Sequence, residues 1–200
     1  MTEKEKEKRQ GGAERIAEQP VTYDIYAAMP DDGFRYEIFD GRLELMSPGP
    51  SASHQSVSSE LEFILKSSCQ SEYKMFHAPF DVILSKTNVV QPDIMMIHRS
   101  RLHMVTARGI EGAPDLVVEI VSPGSRKRDK VTKRNIYAQH GVPEYWVVDT
   151  DSRSLEQYRL DGNGDYALIN LFEGDDRVES DKLPCVTFRV YDLFLDMPNA

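Results

Sequence analysis

The alternation of apolar and polar residues in the first half of the chain predicts a hairpin followed by a helix. "FRYEIFDGRLELMS" contains two alternating runs around Asp40-Gly41, a pair that favours tight hairpin turns. We therefore predict strands at about 34–39 and 42–46. A Pro/Gly/Ser loop then leads into an apolar stripe at helical spacing, which predicts the first long helix. The stripe consists of Val57, Leu61, Ile64 and Leu65. Two later apolar runs, "YKMFHAPFDVILS" and "VVQPDIMMIH", predict further strands.

The second half of the chain contains the pattern strand, helix, strand. "DLVVEIVS", from residue 115, is a continuous β-branched run typical of a strand covered on both faces. A helix is predicted from about 125 to 140, because Gly141 and Pro143 favour its end there. "EYWVVD" then predicts a second buried strand, whereas residues 99–113 are predicted to be a loop. This unit in a hairpin-rich chain predicts an α/β or α+β fold, with a mixed sheet flanked by helices.

Three apolar runs near the C-terminus predict an additional β-rich layer. They are "SLEQYRL", "YALINLF" and "VTFRVYDLFL", separated by Gly- and Asp-rich turns. A length of 200 residues suits one domain, which we expect to span residues 21–200. Residues 1–20 alternate Lys and Glu without a hydrophobic period, so a disordered N-terminal arm is expected there.

The chain shows no sequence signal for a membrane or for secretion. No apolar run approaches the ~20 residues needed to cross a bilayer, and no apolar segment follows the basic N-terminus. We therefore expect a cytoplasmic protein without a membrane partner. Cys69 and Cys185 match no metal-binding spacing, and two reduced thiols are the corresponding expectation.

The charge is distributed unevenly along the chain. The net charge of −9 argues against a nucleic-acid partner, since phosphate contacts depend on Lys and Arg. From Asp149 onward, however, the chain has 12 acids and 5 bases, while residues 126–134 have 6 bases and 1 acid. A locally positive surface is therefore compatible with the acidic total, and a solvated helix face is the alternative.

Two carboxylates occupy positions where an acid is costly. Glu119 lies inside the apolar run "DLVVEIVS", and Asp93 lies between "VVQP" and "IMMI". A buried carboxylate needs compensation, which a metal ion or a salt bridge can provide. Because Pro92 cannot donate to a strand ladder, Asp93 is expected at an edge or irregularity. Two carboxylates on neighbouring strands can share one hard cation, with a backbone carbonyl and waters completing the coordination.

The cationic run after Glu119 supplies candidates for contact with a phosphate. Lys133 shares a predicted helix face with Asp129 at i−4 and Tyr137 at i+4, and Lys130 is its competitor for a role beside the acids. The remaining bases are interpreted as phosphate contacts, with solvated surface positions as the alternative for each. They are Arg126, Lys127, Arg128 and Arg134.

Several linked motifs resemble the Uma-type family of restriction endonucleases, in the PD-(D/E)XK nuclease superfamily. These motifs are "YEIFDGRLELMSPGPSASHQ", "QPDIMMI", "GAPDLVVEIVSPGS" and "DKVTKRNIYAQHGVPEYWVVD". They occur in the family's order between about Tyr36 and Asp149. The resemblance implies a restriction-endonuclease-like core and metal-dependent hydrolysis of nucleic-acid phosphodiesters.

The resemblance also implies roles for individual residues. Asp93 corresponds to the acid of the "PD" element and Glu119 to that of the "(D/E)XK" element. Two positions after Glu119 the chain has Val121 instead of lysine, so Lys133 from the next helix is the expected substitute. Glu37 matches a characteristic acid of the family, as an additional ligand or support, with a surface strand position as the alternative.

Two hypotheses of different kinds follow. In the first, the protein is an endonuclease that uses Mg²⁺ or Mn²⁺, held by Asp93, Glu119 and the main-chain carbonyl of Ile120. In this hypothesis His54, at the start of the first long helix, approaches a phosphate or water; a surface histidine is its alternative. In the second, the fold is a catalytically inactive module that binds nucleic acid or protein. A metal-dependent hydrolase of other phosphoesters is a weaker third reading.

The first hypothesis has consequences for the partners. DNA is the expected nucleic acid. A homodimer would suit cleavage of both strands, which generally needs two active sites.

Overall fold

The structure is a computed structural model, and it describes residues 19–46, 49–122 and 124–198. The predicted arm at residues 1–20 falls almost wholly outside this part of the chain. The α-helices of the described residues are α1 (Tyr23–Ala27), α2 (Ala52–Cys69) and α3 (Arg134–Gln139). The strands up to the middle of the chain are β1 (Tyr36–Phe39), β2 (Arg42–Leu45), β3 (Tyr73–His77), β4 (Val82–Ser85), β5 (Asn88–Val90), β6 (Ile94–His98), β7 (Val105–Thr106) and β8 (Gly109–Glu111). The later strands are β9 (Leu116–Val121), β10 (Glu144–Asp149), β11 (Ser154–Leu160), β12 (Tyr166–Glu173), β13 (Arg177–Glu179) and β14 (Thr187–Arg189).

The central sheet has six strands in the order β12-β11-β10-β9-β6-β3. Its middle pair, β9 and β10, is parallel, with Glu119 opposite Val147. The other neighbours, β10 with β11, β11 with β12, β6 with β9 and β3 with β6, are antiparallel. The helix predicted between β9 and β10 connects the parallel pair, as such a crossover requires. The mixed-sheet α+β class is therefore confirmed.

A second six-stranded sheet has the order β2-β1-β5-β4-β8-β7. Its β1–β2 hairpin turns at the predicted pair, where Asp40 and Gly41 have φ of 49° and 78°. These left-handed conformations favour glycine. A Cβ at Gly41 would also lie 2.4 Å from the Cβ of Pro20, so the close approach of the chain excludes a side chain there.

The central sheet is covered on both faces, because successive residues of β9 point to opposite sides. Val118 and Ile120 pack against α2, β14 and the C-terminal 3₁₀ helix (Val190–Phe194). Val117 and Val121 pack against α3 and the second sheet. Glu119 points to the second of these sides, which explains why the strand has an uninterrupted apolar character around a single acid.

The helix after β9 is π-helical at first. The segment Arg128–Lys133 is a π-helix and continues into α3. The N–H of Arg134 donates to the carbonyl of Asp129, five residues earlier, as π geometry requires. That carbonyl also accepts a hydrogen bond of 3.1 Å from the Tyr145 hydroxyl. Short π-helical segments often occur at functional sites.

Three expectations change in the structure. Residues 99–113 do not form a loop as predicted, because a 3₁₀ helix (Arg99–Met104) and the β7–β8 hairpin lie there. The expectation of two reduced thiols is wrong, since Cys69 at the end of α2 forms a disulfide with Cys185. Spacing along the chain could not reveal this pairing across 116 residues. In the C-terminal region, β11 and β12 extend the central sheet, and only β13 and β14 form a separate layer.

None of the described helices is both long and apolar enough to span a bilayer.

Candidate active site

Asp93 lies immediately before β6, beside the strand that carries Glu119. Ile94 is opposite Val118 in the β6–β9 pair, so the same register places Asp93 beside Glu119. Its Oδ2 accepts a hydrogen bond of 2.7 Å from the backbone N–H of Ile120. The same oxygen lies 3.1 Å from Nε2 of His54. Among the described residues, the other oxygen, Oδ1, receives no hydrogen bond.

Glu119 is buried and is held through one oxygen. Its Oε1 accepts a hydrogen bond of 3.0 Å from Lys133 Nζ and one of 2.5 Å from the Tyr137 hydroxyl. Its Oε2 has no hydrogen-bond partner within the described part of the chain. Burial raises the pKa of the Glu119 carboxyl well above its ordinary value, and the charge of Lys133 opposes that rise. Glu119 therefore resembles Asp93 in having one oxygen fixed by the protein and one oxygen without a hydrogen-bond partner in the described residues.

Lys133 is buried within a cluster of acids. Its Nζ lies 2.8 Å from Glu37 Oε1, 3.0 Å from Glu119 Oε1 and 3.9 Å from Asp129 Oδ1. Burial alone would lower the pKa of Lys133, but the charges of Glu119 and Glu37 raise it above its ordinary value. Lys133 is therefore charged at neutral pH.

Lys130, the competitor of Lys133, points to a different part of the molecule. It pairs with Asp149 and Glu156, at 3.4 Å and 2.7 Å, on β10 and β11. The geometry thus brings Lys133, and not Lys130, into contact with the motif acid Glu119.

Glu37 reaches the same cluster from the second sheet. It lies on β1, is buried, and its Oε1 also accepts a hydrogen bond of 2.9 Å from the backbone N–H of Gln91. Its Oε2 is buried without a hydrogen-bond partner among the described residues. The alternative of a surface strand position for Glu37 therefore does not hold.

Asp129 and Tyr137 belong to the cluster, although sequence reasoning assigned no site role to either. Asp129 is buried, its Oδ1 has no hydrogen-bond partner in the described residues, and burial raises its pKa. Burial also raises the pKa of Tyr137 well above its ordinary value, so its hydroxyl remains a donor to Glu119. The available signal was helical spacing, since Asp129 and Tyr137 lie four residues before and after Lys133.

His54 lies in the first turn of α2 and is directed at Asp93. Ser51 caps the helix by accepting a hydrogen bond of 3.2 Å from the backbone N–H of His54. The His54 side chain is only 13% exposed, and its Nδ1 is buried without a partner in the described region. Burial lowers the pKa of His54, but the hydrogen bond and charge of Asp93 outweigh this effect and raise it overall. His54 is therefore a mostly buried residue in contact with Asp93, and the alternative of a surface histidine does not hold.

Most bases of the cationic run have partners away from these acids. Arg126 pairs with Asp149 and Asp151 at 3.1 Å. Arg134 donates to the carbonyl of Tyr166 and lies over the ring of Tyr158. Lys127 is exposed.

Arg128 differs from the other bases of the run. Its Nε lies 3.6 Å from Asp129 Oδ1 and 4.0 Å from Glu37 Oε2, and makes no hydrogen bond to the described residues. Among the predicted phosphate contacts of the run, Arg128 therefore lies nearest to the acids.

Several of these side chains line an open cleft of about 510 Å³ at the junction of the two sheets and the start of α2. The lining includes Asp93, Glu119, Asp129, Lys133, Arg128 and His54, together with Ile120. Four carboxylates, from Glu37, Asp93, Glu119 and Asp129, exceed the two adjacent fixed cations, Lys133 and Arg128. Such an excess favours binding of a further cation.

The donor chemistry of the cleft fits a hard divalent cation. In the described residues, no three His, Cys, Asp or Glu side chains are already grouped as metal ligands. However, Asp93 and Glu119 each present one oxygen without a partner, and the backbone of Ile120 lies beside them. Two carboxylates plus a carbonyl and waters form a set that Mg²⁺ accepts, since it usually keeps several waters. The residues therefore fit the ion that the resemblance implies.

The sheet order and the cleft define a protein with a restriction-endonuclease-like fold. Its structure is similar to the crystal structure of a "putative nuclease belonging to DUF820" from Anabaena variabilis, with a TM-score of 0.72 and 22% identity. The similarity covers 88% of this chain and 98% of the other.

The sequence comparisons give the family. The profile of the Uma2 family, described as "Putative restriction endonuclease", matches residues 23–190, and the chain belongs to this family. The uncharacterized protein slr1290 of Synechocystis sp. is 24% identical over 152 residues, which cover 72% of this chain and 76% of the relative. The expected family is thus confirmed.

Proposed function

We propose that this protein is a metal-dependent endonuclease that hydrolyses phosphodiester bonds of nucleic acid in the cleft around Asp93 and Glu119. One observation supports this most strongly. Each of these acids is held through one oxygen and has no hydrogen-bond partner for the other among the described residues, and the buried, charged Lys133 contacts Glu119. Membership of the Uma2 family supports the same reaction class.

In this proposal Asp93, Glu119 and the main-chain carbonyl of Ile120 would hold Mg²⁺, or Mn²⁺ in its place. A bound ion would polarise a phosphoryl oxygen and activate water. The buried ammonium of Lys133 stabilises the negative charge that develops on the phosphate and orients the attacking water. Glu37 and Tyr137 support this arrangement, because they fix Lys133 and Glu119 respectively.

The bond changes follow from attack of water in line with the leaving group. A new bond forms between phosphorus and the water oxygen, while the bond between phosphorus and the 3′ oxygen breaks. The attacking water releases a proton to the solvent and the leaving 3′ oxygen takes one up from the solvent, so the products are a 3′ hydroxyl and a 5′ phosphate. His54 contacts Asp93 through Oδ2, so this contact does not occupy Oδ1.

We also propose that Arg128 is the principal phosphate contact of the cationic run. It lines the cleft and makes only long contacts with Glu37 and Asp129, so a phosphate can replace them at small cost. Lys127, exposed to solvent, would extend this contact along the strand. Arg126, Lys130 and Arg134 would first have to leave their present partners.

The direct test uses purified protein with plasmid, linear duplex and single-stranded DNA in Mg²⁺ or Mn²⁺. Cleavage should disappear in Asp93→Ala and in Glu119→Ala. Asp115→Asn is the matched control, because this acid also follows a proline but pairs with Arg101 outside the cleft. It should cleave as the wild type does. Equal cleavage by wild type and both alanine variants would identify a contaminating nuclease.

One observation favours a second candidate, a catalytically inactive module that binds nucleic acid or protein. Lys133 already forms ion pairs with both Glu37 and Glu119, and no three ligand side chains are grouped in the described part of the chain. Calorimetric titration with Mn²⁺ separates the two candidates. The nuclease should bind Mn²⁺ and lose that binding in Asp93→Ala, whereas the inactive module should show no binding in the folded wild type.

A further inference from the structure

The strand β12 is an edge of the central sheet with unusual exposure. Residues 167–171 are all exposed, and three of them are large and apolar: Leu168 is 52%, Ile169 40% and Leu171 51% exposed. No charged residue occurs between Asp165 and Glu173. A long, apolar and uncharged edge presents unpaired backbone groups that can pair with another strand.

The other edges of the two six-stranded sheets are protected in the described residues. The opposite edge of the central sheet, β3, carries the exposed charge of Lys74. In the second sheet, β2 exposes Arg42 and Glu44, and β7 has only two residues. Charges and short length are the usual protections of sheet edges. The lack of both at β12 indicates that this edge is covered in the functional protein.

We propose that β12 pairs with β12 of a second copy of this chain, which joins the two central sheets into one sheet of a homodimer. Two identical strands can pair antiparallel about a two-fold axis. The same patch of residues then forms both halves of the interface. Because residues 166–172 are uncharged, no like charges meet within the paired segment. A strand of unrelated sequence would not be related to β12 by a two-fold axis, and it need not be free of charges.

The pairing has a consequence that rests on the proposed function, whereas the dimer itself does not. Within one copy, β9 is three strands away from β12. Three inter-strand spacings in each copy and one across the interface separate the two Glu119-bearing strands by about 34 Å. Such a dimer would contain two clefts, which is the number that cleavage of both strands of a duplex generally needs.

The test compares the mass of the wild type in solution with that of edge and control variants. Sedimentation velocity should give twice the mass of one chain for the wild type. In the double variant Ile169→Lys/Leu171→Lys, like charges meet across the pair, so the dimer dissociation constant should rise about tenfold or more. Phe63→Lys is the control, since Phe63 is 66% exposed on α2 and lies away from the edge. It should leave the dimer intact.

Hydrogen exchange provides a readout at the strand itself. Amides of residues 167–172 should exchange slowly in the wild-type dimer and quickly in the folded double variant. Circular dichroism checks that both variants are folded. A monomeric wild type, a dimer that persists in the double variant, or a dimer that dissociates only in Phe63→Lys would overturn the proposal. None of these outcomes alters Mn²⁺ binding at Asp93, so failure of the dimer is separate from failure of the nuclease.

Discussion

Replacement of Lys133 by methionine gives the sharpest test of the cluster. The substitution keeps the length of the side chain and removes an ammonium that lies 2.8 Å from Glu37 and 3.0 Å from Glu119. Both carboxylates remain buried. Removal of one partner from a buried ion pair typically costs about 3–5 kcal/mol, because the remaining charge is left uncompensated. We therefore expect the free energy of unfolding to fall by about this amount at neutral pH.

The matched control is Lys130→Met, because Lys130 lies three residues before Lys133 in the same helix. Its ammonium pairs with Asp149 and Glu156, but the side chain is 25% exposed. Because solvent reaches the Lys130 ammonium, we expect its ion pairs to contribute less than those of Lys133, and pairs open to solvent typically contribute about 0–1 kcal/mol. Urea unfolding of the two variants and the wild type, followed by circular dichroism, should separate the two lysines clearly.

The cost of Lys133→Met should also depend on pH. Burial raises the pKa of Glu119, and the Lys133 charge opposes that rise, so its loss raises the pKa further. A carboxyl with a raised pKa stabilises the fold at low pH, and this contribution is lost as the pH rises through the folded-state pKa. The destabilisation should therefore increase from acidic to neutral pH. A cost no larger than that of Lys130→Met, or one that shrinks as the pH rises, would refute the reasoning.

Three further predictions concern single side chains of the cleft. Arg128→Gln should weaken DNA binding and reduce by about one the slope of the logarithm of the binding constant against the logarithm of the salt concentration. Arg126→Gln should change this slope less, because Arg126 is already paired with acids. Fluorescence anisotropy at several salt concentrations measures both variants. Tyr137→Phe should lower the free energy of unfolding by about 1.5–3 kcal/mol in urea, because Glu119 loses a hydrogen bond to a charged group; no measurable loss would contradict the contact. His54→Ala should weaken Mn²⁺ binding measured by calorimetry, because Asp93 loses the partner that orients it; unchanged affinity would exclude this role.

Part of the fold could be predicted because it depends on local sequence. The turn at Asp40-Gly41 needs left-handed backbone, and both residues tolerate it. The apolar run around Glu119 predicted a strand covered on both faces, which is what β9 is. The disulfide and the β7–β8 hairpin were missed, because their partners are set by packing between segments and not by the pattern within one segment.

The candidate site was predictable to a similar extent. The proline before Asp93 and the burial of Glu119 drew attention to both acids from sequence alone. Asp129 was visible only as a helical neighbour of Lys133, although it lines the cleft and its buried Oδ1 has no hydrogen-bond partner among the described residues. Glu37 could be aligned with the family but not located, since its contact with Lys133 depends on how the second sheet packs.

The sequence by itself determined most of the longer strands, the helix between β9 and β10, the family, and the two acids, Asp93 and Glu119. Only the tertiary structure decided which lysine accompanies them. Lys130 and Lys133 belong to the same helix, and each has other charged residues close to it in the sequence, so the sequence does not distinguish them. Packing of that helix turns Lys133 toward Glu119 and Lys130 toward Glu156. The partner of a charge is set by long-range packing of elements, which periodicity within one segment does not encode.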